Sequence, residues 1–316
     1  MRVLFIASGN HGEVTPIVKN QGDGLVSEGV EVEYFLIRGK GIKGYLRNVI
    51  PLRKYLHAHK FDAVHAHFSL SAFAASLAGA KPLVVSLMGD DVKAAYWYRL
   101  TVRFFSWVFR WKAIIVKSND MYHSLGMARA IVIPNGVNVE RFRPLDKAEC
   151  QKRLGWTDST NHTSHTKHIL FPADASRPVK DYALADAAIE RVKKEVNDRM
   201  YDIEMHSFKN TPNEETPFWY NAADVVLMTS KWEGSPNAIK EAMACSRPIV
   251  CTNVGDVAER TIGVDGCYVA KSRDPQELAS LLEQAFAFKQ TNGRERIIAD
   301  GLDAHVINKK LISVYM

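Results

Sequence analysis

Asp224-Val225-Val226-Leu227-Met228-Thr229-Ser230 runs directly into Lys231-Trp232-Glu233-Gly234-Ser235-Pro236-Asn237-Ala238-Ile239-Lys240-Glu241. The first part is a short, almost wholly apolar run, the pattern of a strand covered on both faces in a parallel sheet. Gly234 lets backbone come close to a ligand. Pro236 suits a helix start, where its missing N–H costs nothing. The unit therefore reads strand, tight loop, helix, and the free amides at such a helix start form a ready phosphate site. Glu233 lies in the loop and Glu241 about one and a half turns into the helix, so the two address different parts of one long ligand. A carboxylate accepts well from vicinal ribose hydroxyls, the natural task for the deeper Glu241. Glu233 is nearer the place of a sugar ring or of developing positive charge.

Working outward, the same rhythm covers the chain. Strands are predicted at 2–7, 31–37, 61–67, 82–88, 113–118 and 129–134, with helices near 15–28, 43–58, 70–79, 94–110 and 119–126. Residues 144–167, with Pro144 and the polar tract 156–165, break the alternation and read as a linker. A second series follows, with strands near 168–173, 201–207, 224–229, 248–252 and 267–270 and helices near 180–196, 214–222, 236–245 and 274–288. The reading is α/β, two Rossmann-like parallel-sheet lobes facing across a cleft. The predicted boundaries are 1–150 for the first lobe and 151–302 for the second. A last helix-like segment is read from about 292 to 316, and its part over about 303–316 is predicted to return to the first lobe.

Glu233 to Glu241 resembles the E-x7-E signature of retaining glycosyltransferases of the GT-B fold, and the whole phrase is similar to their large family 4. The following strand and turn, Pro248-Ile249-Val250-Cys251-Thr252 with Val254-Gly255-Asp256-Val257, match the same family. What the resemblance implies is transfer of a hexose from a UDP- or GDP-linked sugar, with retention of anomeric configuration, in cell-surface polysaccharide or glycolipid synthesis. Glu233 is then the catalytic or sugar-orienting carboxylate. Gly234, Ser235, Pro236, Asn237, Glu241, Gly255 and Asp256 fall to the nucleotide-sugar. Arg177 and Lys180, in a segment resembling the family's diphosphate grip, supply cations; Asp174 stands where relatives carry an early arginine. His206 ends the strand that meets the nucleotide base.

In the first lobe, Ser8-Gly9-Asn10-His11-Gly12 resembles the family's glycine-containing loop. That places His11 and Gly12, with His67 and Asp90, on the acceptor or cleft side. The family often has a histidine before the glycine of the segment Ser86–Val92; here Met88 stands, and a thioether transfers no proton. Asp90, Asp91 and His67 are the candidates to replace it. Ile133-Pro134-Asn135-Gly136-Val137 resembles the family phrase leading out of the lobe.

Residues 1–150 carry 20 Lys/Arg against 12 Asp/Glu, and residues 151–316 carry 21 against 23. Basic residues through 38–60 and the aromatic run over 96–112 suit either a buried helix or peripheral contact with an anionic membrane bearing a lipid-linked sugar acceptor. No nucleic-acid motif is present. Cys150, Cys245, Cys251 and Cys267 have no metal or redox spacing and read as reduced thiols of a cytoplasmic protein, at most at the inner face of the membrane. His162, His165 and His168 read as solvated, and with no D-x-D sequence neither a metal nor another cofactor is expected. The alternatives are a nucleotide-sugar epimerase of the same architecture and a non-catalytic two-lobed ligand-binding protein.

Overall fold

The computed structural model describes the 316-residue chain except positions 11, 40, 94–95, 157–164 and 196–200. It forms two compact units, Met1–Gly136 with Ala304–Met316, and Val137–Asp303.

The first unit holds a six-stranded sheet with β1 (Arg2–Ser8), β2 (Glu31–Ile37), β3 (Ala63–His67), β4 (Leu83–Ser86), β5 (Ala113–Val116) and β6 (Ala130–Val132). All its pairings are parallel, in the order β2-β1-β3-β4-β5-β6. Successive strand residues enter opposite core layers: Leu4, Ile6, Val64 and Val85 lie in one, Val3, Phe5, Ala63 and Val84 in the other. Burial on both faces is what makes these strands continuous apolar runs. Strand order reverses between β1 and β3, so the loop after Ser8 and the end of β3 at His67 flank the switch point.

The second unit pairs β7 (His165–Phe171), β8 (Tyr201–Ser207), β9 (Val225–Met228), β10 (Ile249–Thr252) and β11 (Cys267–Ala270). These are also all parallel, in the order β11-β10-β9-β7-β8. Leu170, Val226 and Ile249 face one core layer, and Ile169, Val225 and Val250 the other. Here the switch point lies between β7 and β9, and β8 is an edge strand.

Three expectations are corrected. The first lobe ends at Gly136 rather than 150, because Val137, Val139, Phe142 and Cys150 are buried in the second unit's core. The segment read as linker contains a helix, Lys147–Leu154, capped by the Asp146 side chain. The single helix read near 292–316 is two, Gly293–Ala299 and Ala304–Tyr315, divided at Gly301 with φ 62°. The second of these does return to the first unit, burying Ile307, Leu311 and Tyr315 there.

Candidate functional site

At the second unit's switch point, the strand after Leu170 passes into a 3-10 turn, Pro178–Lys180, and β9 passes into the loop that carries Glu233. Backbone and side chains stitch the two segments together. Lys231 N donates to Val179 O at 2.8 Å, and Thr229 Oγ1 donates to Lys180 O and Asp181 O at 3.1 and 2.9 Å. Arg273 donates to the carbonyls of Thr229 and Ser230, each at 2.9 Å, and to Asp181 Oδ2 at 2.5 Å. Held in this way, Lys180 Nζ reaches Glu233 Oε1 at 2.5 Å, and Ser230 Oγ donates to the same oxygen at 2.8 Å. The lysine and the glutamate expected from the sequence are thus brought together as one ion pair. Arg177 is exposed and precedes the turn; Asp174 caps Ser176 N from outside the pair.

Beyond Glu233 the chain makes its close approach. Gly255 has φ 61°, and a Cβ there would lie 2.7 Å from Gly234 O, so neither strain nor space admits a side chain. Ser235 Oγ donates to Asp256 Oδ2 at 2.8 Å and accepts from Lys240 Nζ at 3.2 Å, while Arg260 Nε donates to Asp256 at 3.0 Å. Ser235 and Asp256 therefore tie the two loops to each other. Lys240 is buried, and burial pushes its ammonium down to about 8, Asp256 opposing the shift. Pro236 is the N-cap of the helix Asn237–Ala244, which has no side-chain cap. A helix start of this kind is a favourable place for an anion.

Glu241 Oε2 accepts from the buried Tyr220 hydroxyl at 2.7 Å. Burial raises the Glu241 carboxyl above its ordinary range, against the pull of Tyr220, Arg141 and Lys240. His206 turns away from any solvent-facing role. Its ring stacks on Trp156 at 3.5 Å and 8° and meets His168 at 3.0 Å, and burial pushes it down to about 4. His168, read as solvated, is buried, because its strand begins earlier than the polar tract suggests. His162 lies outside the described residues, and His165 begins β7.

In the first unit His67 is buried at the end of β3, and its Nε2 has no partner among the described residues. His65 shares its face, between Tyr315 OH at 2.6 Å and Ser86 Oγ at 2.8 Å. Gly12 is exposed with φ 90°; His11 and the Asp90 side chain lie outside what is described. Asp91 accepts from Ser69 N, Ser69 Oγ and Met88 N. Those bonds make it the brace of its loop. Tyr220, Ser230, Lys240 and Arg273 escaped the sequence reading, since only the fold shows that they meet Glu241, Glu233, Ser235 and Asp181 in turn. Lys117, buried at the end of β5 with Nζ 3.3 Å from Ser86 Oγ, escaped it for the same reason.

Comparison with known proteins bears on both lobes. The model described as Glycosyltransferase Family 4 matches residues 8–141, and the model described as Glycosyl transferases group 1 matches residues 170–287. The chain belongs to the group 1, family 4 glycosyltransferases. One relative in this family is the UDP-Gal:alpha-D-GlcNAc-diphosphoundecaprenol alpha-1,3-galactosyltransferase of Escherichia coli. It is 27% identical over 244 residues, 66% of this chain and 62% of its own length. The putative teichuronic acid biosynthesis glycosyltransferase TuaC of Bacillus subtilis is 24% identical over 238 residues, 70% of this chain and 60% of its own. The chain thus spans about three fifths of these relatives. Among solved structures, sucrose-phosphate synthase from Thermosynechococcus elongatus superposes with TM-score 0.78 at 15% identity, covering 100% of this chain and 98% of that one. HepE from Anabaena, in complex with UDP-glucose, gives TM-score 0.71 at 16% identity, covering 99% and 98%. These similarities establish the GT-B fold of two parallel-sheet, Rossmann-like lobes.

Proposed function

We propose that this chain transfers a hexose from a nucleotide-sugar, UDP- or GDP-linked, to a sugar or lipid-linked sugar acceptor in the assembly of a surface polysaccharide or glycolipid. The observation that carries the reading is the Lys180–Glu233 pair at the second lobe's switch point, in the loop before the helix whose Glu241 is paired with Tyr220. Lys180, with Arg177 beside it in sequence, offers positive charge to the diphosphate that leaves. The amides around Ser235–Asn237 add donors without moving when charge develops. Glu241, aimed by Tyr220, accepts from the ribose hydroxyls. Glu233, held by Ser230 and Lys180, orients the donor sugar or steadies positive charge at its anomeric carbon. The first lobe takes the acceptor, with Gly12, His11, His67 and Asp90 as the positions to probe. Transfer proceeds with retention and without a metal ion. The galactosyltransferase similarity supports a diphosphate-linked lipid acceptor, and the likeness to HepE with UDP-glucose supports uridine as the base.

Peripheral membrane contact belongs to the same reading. Among the described residues no helix is long and apolar enough to cross a membrane. Along the helix Tyr96–Val108, however, Trp97, Leu100, Phe104 and Trp107 recur at helical spacing and stay exposed, Trp107 by 75%. Ile42, Leu46 and Ile50 are likewise exposed among Lys43, Arg47 and Lys54. Apolar faces bordered by cations suit an anionic leaflet.

The test is thermal stability against UDP, GDP, ADP and their sugar conjugates, beside Glu241→Ala. A ligand at about 100 times its dissociation constant adds about 2.7 kcal/mol. One nucleotide should raise the midpoint, and the variant should lose the effect. Indifference to all of them would overturn the donor site. With the donor known, the anomeric configuration of the product tests retention, and an isomerised donor formed without acceptor would point to an epimerase.

A further inference from the structure

His168, Glu204 and His206 converge on one point. We propose that they form a site for a divalent transition metal of the zinc type, which clamps the edge strand β8 to β7. In the parallel register His168 stands opposite Glu204 and Leu170 opposite His206, so all three side chains leave the same face of the sheet. His168 Nδ1 and His206 Nε2 are 3.0 Å apart. Glu204 Oε2 is 3.8 Å from each of them. That separation is too long for a hydrogen bond to either ring, and it leaves room for an ion among the three donor atoms.

The triangle has the right size. A point about 2.1 Å from both nitrogens, on the side of the carboxylate, falls about 2.0 Å from Oε2, matching the bonds zinc takes to imidazole and carboxylate. That point lies in the plane of the three donor atoms, so a shift of about a few tenths of an ångström, with a pivot of the two rings that aims their lone pairs, brings the ion to a tetrahedral position open to water. Two histidines and a glutamate are a known zinc donor set, with further coordination left to water. Trp156, stacked on His206 and 5.4 Å from the His168 ring, fixes the ring planes, the work an outer shell does for metal-bound imidazoles. The three groups differ in access: His168 is buried, whereas the Glu204 side chain is 57% exposed, which leaves the ion a way in. The edge strand β8 has β7 as its one neighbour in the sheet, so an ion held by both adds a side-chain link to the strand's backbone pairing. This site is structural and stands apart from the metal-free transfer proposed above; it assigns His206 to the ion instead of to the nucleotide base.

The test uses the full chain without an affinity tag, stripped by a chelator and titrated calorimetrically with zinc chloride. One equivalent should bind and raise the thermal midpoint, and cobalt(II) should give the visible absorption of a low-coordinate site. Glu204→Gln, at an exposed position, and His206→Ala should each weaken binding at least tenfold. No stoichiometric uptake by the parent chain would overturn the proposal, as would equal affinity in both variants, which would put the ion on other side chains. Nucleotide-induced stabilisation of the metal-free chain is scored separately, so that the donor-site reading stands or falls on its own.

Discussion

At the scale of the residue, burial sets the chemistry of the two histidines on β3. His67 is pushed down to about 3 by burial and then by Lys117, and His65 well below its usual range by burial, His67 and Lys117. Both are neutral in the fold, with Tyr315, Ser86 and Lys117 around them. Released on unfolding, each regains an ordinary value near 6.5. The folded values lie below the unfolded ones, so this contribution is full above about pH 6.5 and is lost as pH falls toward the folded values. At pH 5.5 the buried His67 ring costs about 1.4 kcal/mol of stability, and His65 adds a cost of the same sign. Urea midpoints between pH 7.5 and 5.5 should fall accordingly, and His67→Gln should flatten the slope; an unchanged slope would reject this origin. Glu233, Glu241 and Lys180 were each legible from sequence, because strand, loop and helix signals surround them. Their partners Ser230 and Tyr220 were not, since a tyrosine on another helix carries no local mark of the carboxylate it will meet.

At the scale of the element, the helix Tyr96–Val108 shows what periodicity leaves open. Its aromatic residues are interleaved with arginines, so sequence alone supported either burial or membrane contact. In the fold Phe105 and Trp111 join the core, while Trp97, Phe104 and Trp107 remain outside. Replacing Phe104 and Trp107 by serine should leave the unfolding midpoint nearly unchanged, since exposed substitutions cost within about 0.5 kcal/mol each. Sedimentation with vesicles rich in anionic lipid should drop several-fold, and what binding remains, held by the basic side chains alone, should fall further as salt is added. Equal binding by parent and variant would remove this face from the membrane reading. Helix Lys147–Leu154 was hidden between Pro144 and a polar tract, where composition says loop although Asp146 is a sound cap. The break at Gly301 was signalled by the glycine itself and overridden by the apolar residues on either side.

At the scale of the whole molecule, the C-terminal helix belongs to the first unit although the second precedes it in sequence. Leu311 is fully buried, Tyr315 OH meets His65, and Lys112 Nζ donates to Tyr315 O at 2.7 Å. Leu311→Ala should cost about 2–5 kcal/mol, the range for emptying a core leucine site. If nucleotide binding rests on the second unit, that variant should keep the nucleotide affinity of the parent in its folded state. Calorimetric titration at low temperature, beside denaturant unfolding, reads both quantities. A loss of nucleotide affinity would mean that the first unit shapes the donor site.

By itself the sequence determined the class of fold, the count of the strands and their succession along the chain, and the loop from Glu233 to Glu241. Those features are local: strand runs of four to seven residues, a glycine turn and a helix start all lie within a short stretch of chain. Only the tertiary structure decided where the first lobe ends, which face of each helix is left to solvent, and which side chains meet. It paired Lys180 with Glu233, turned His206 to Trp156 and His168, and made Asp91 a loop brace. The physical reason is that pairing across a parallel sheet joins residues from strands separated by whole crossovers, and the register that joins them leaves no trace within either strand.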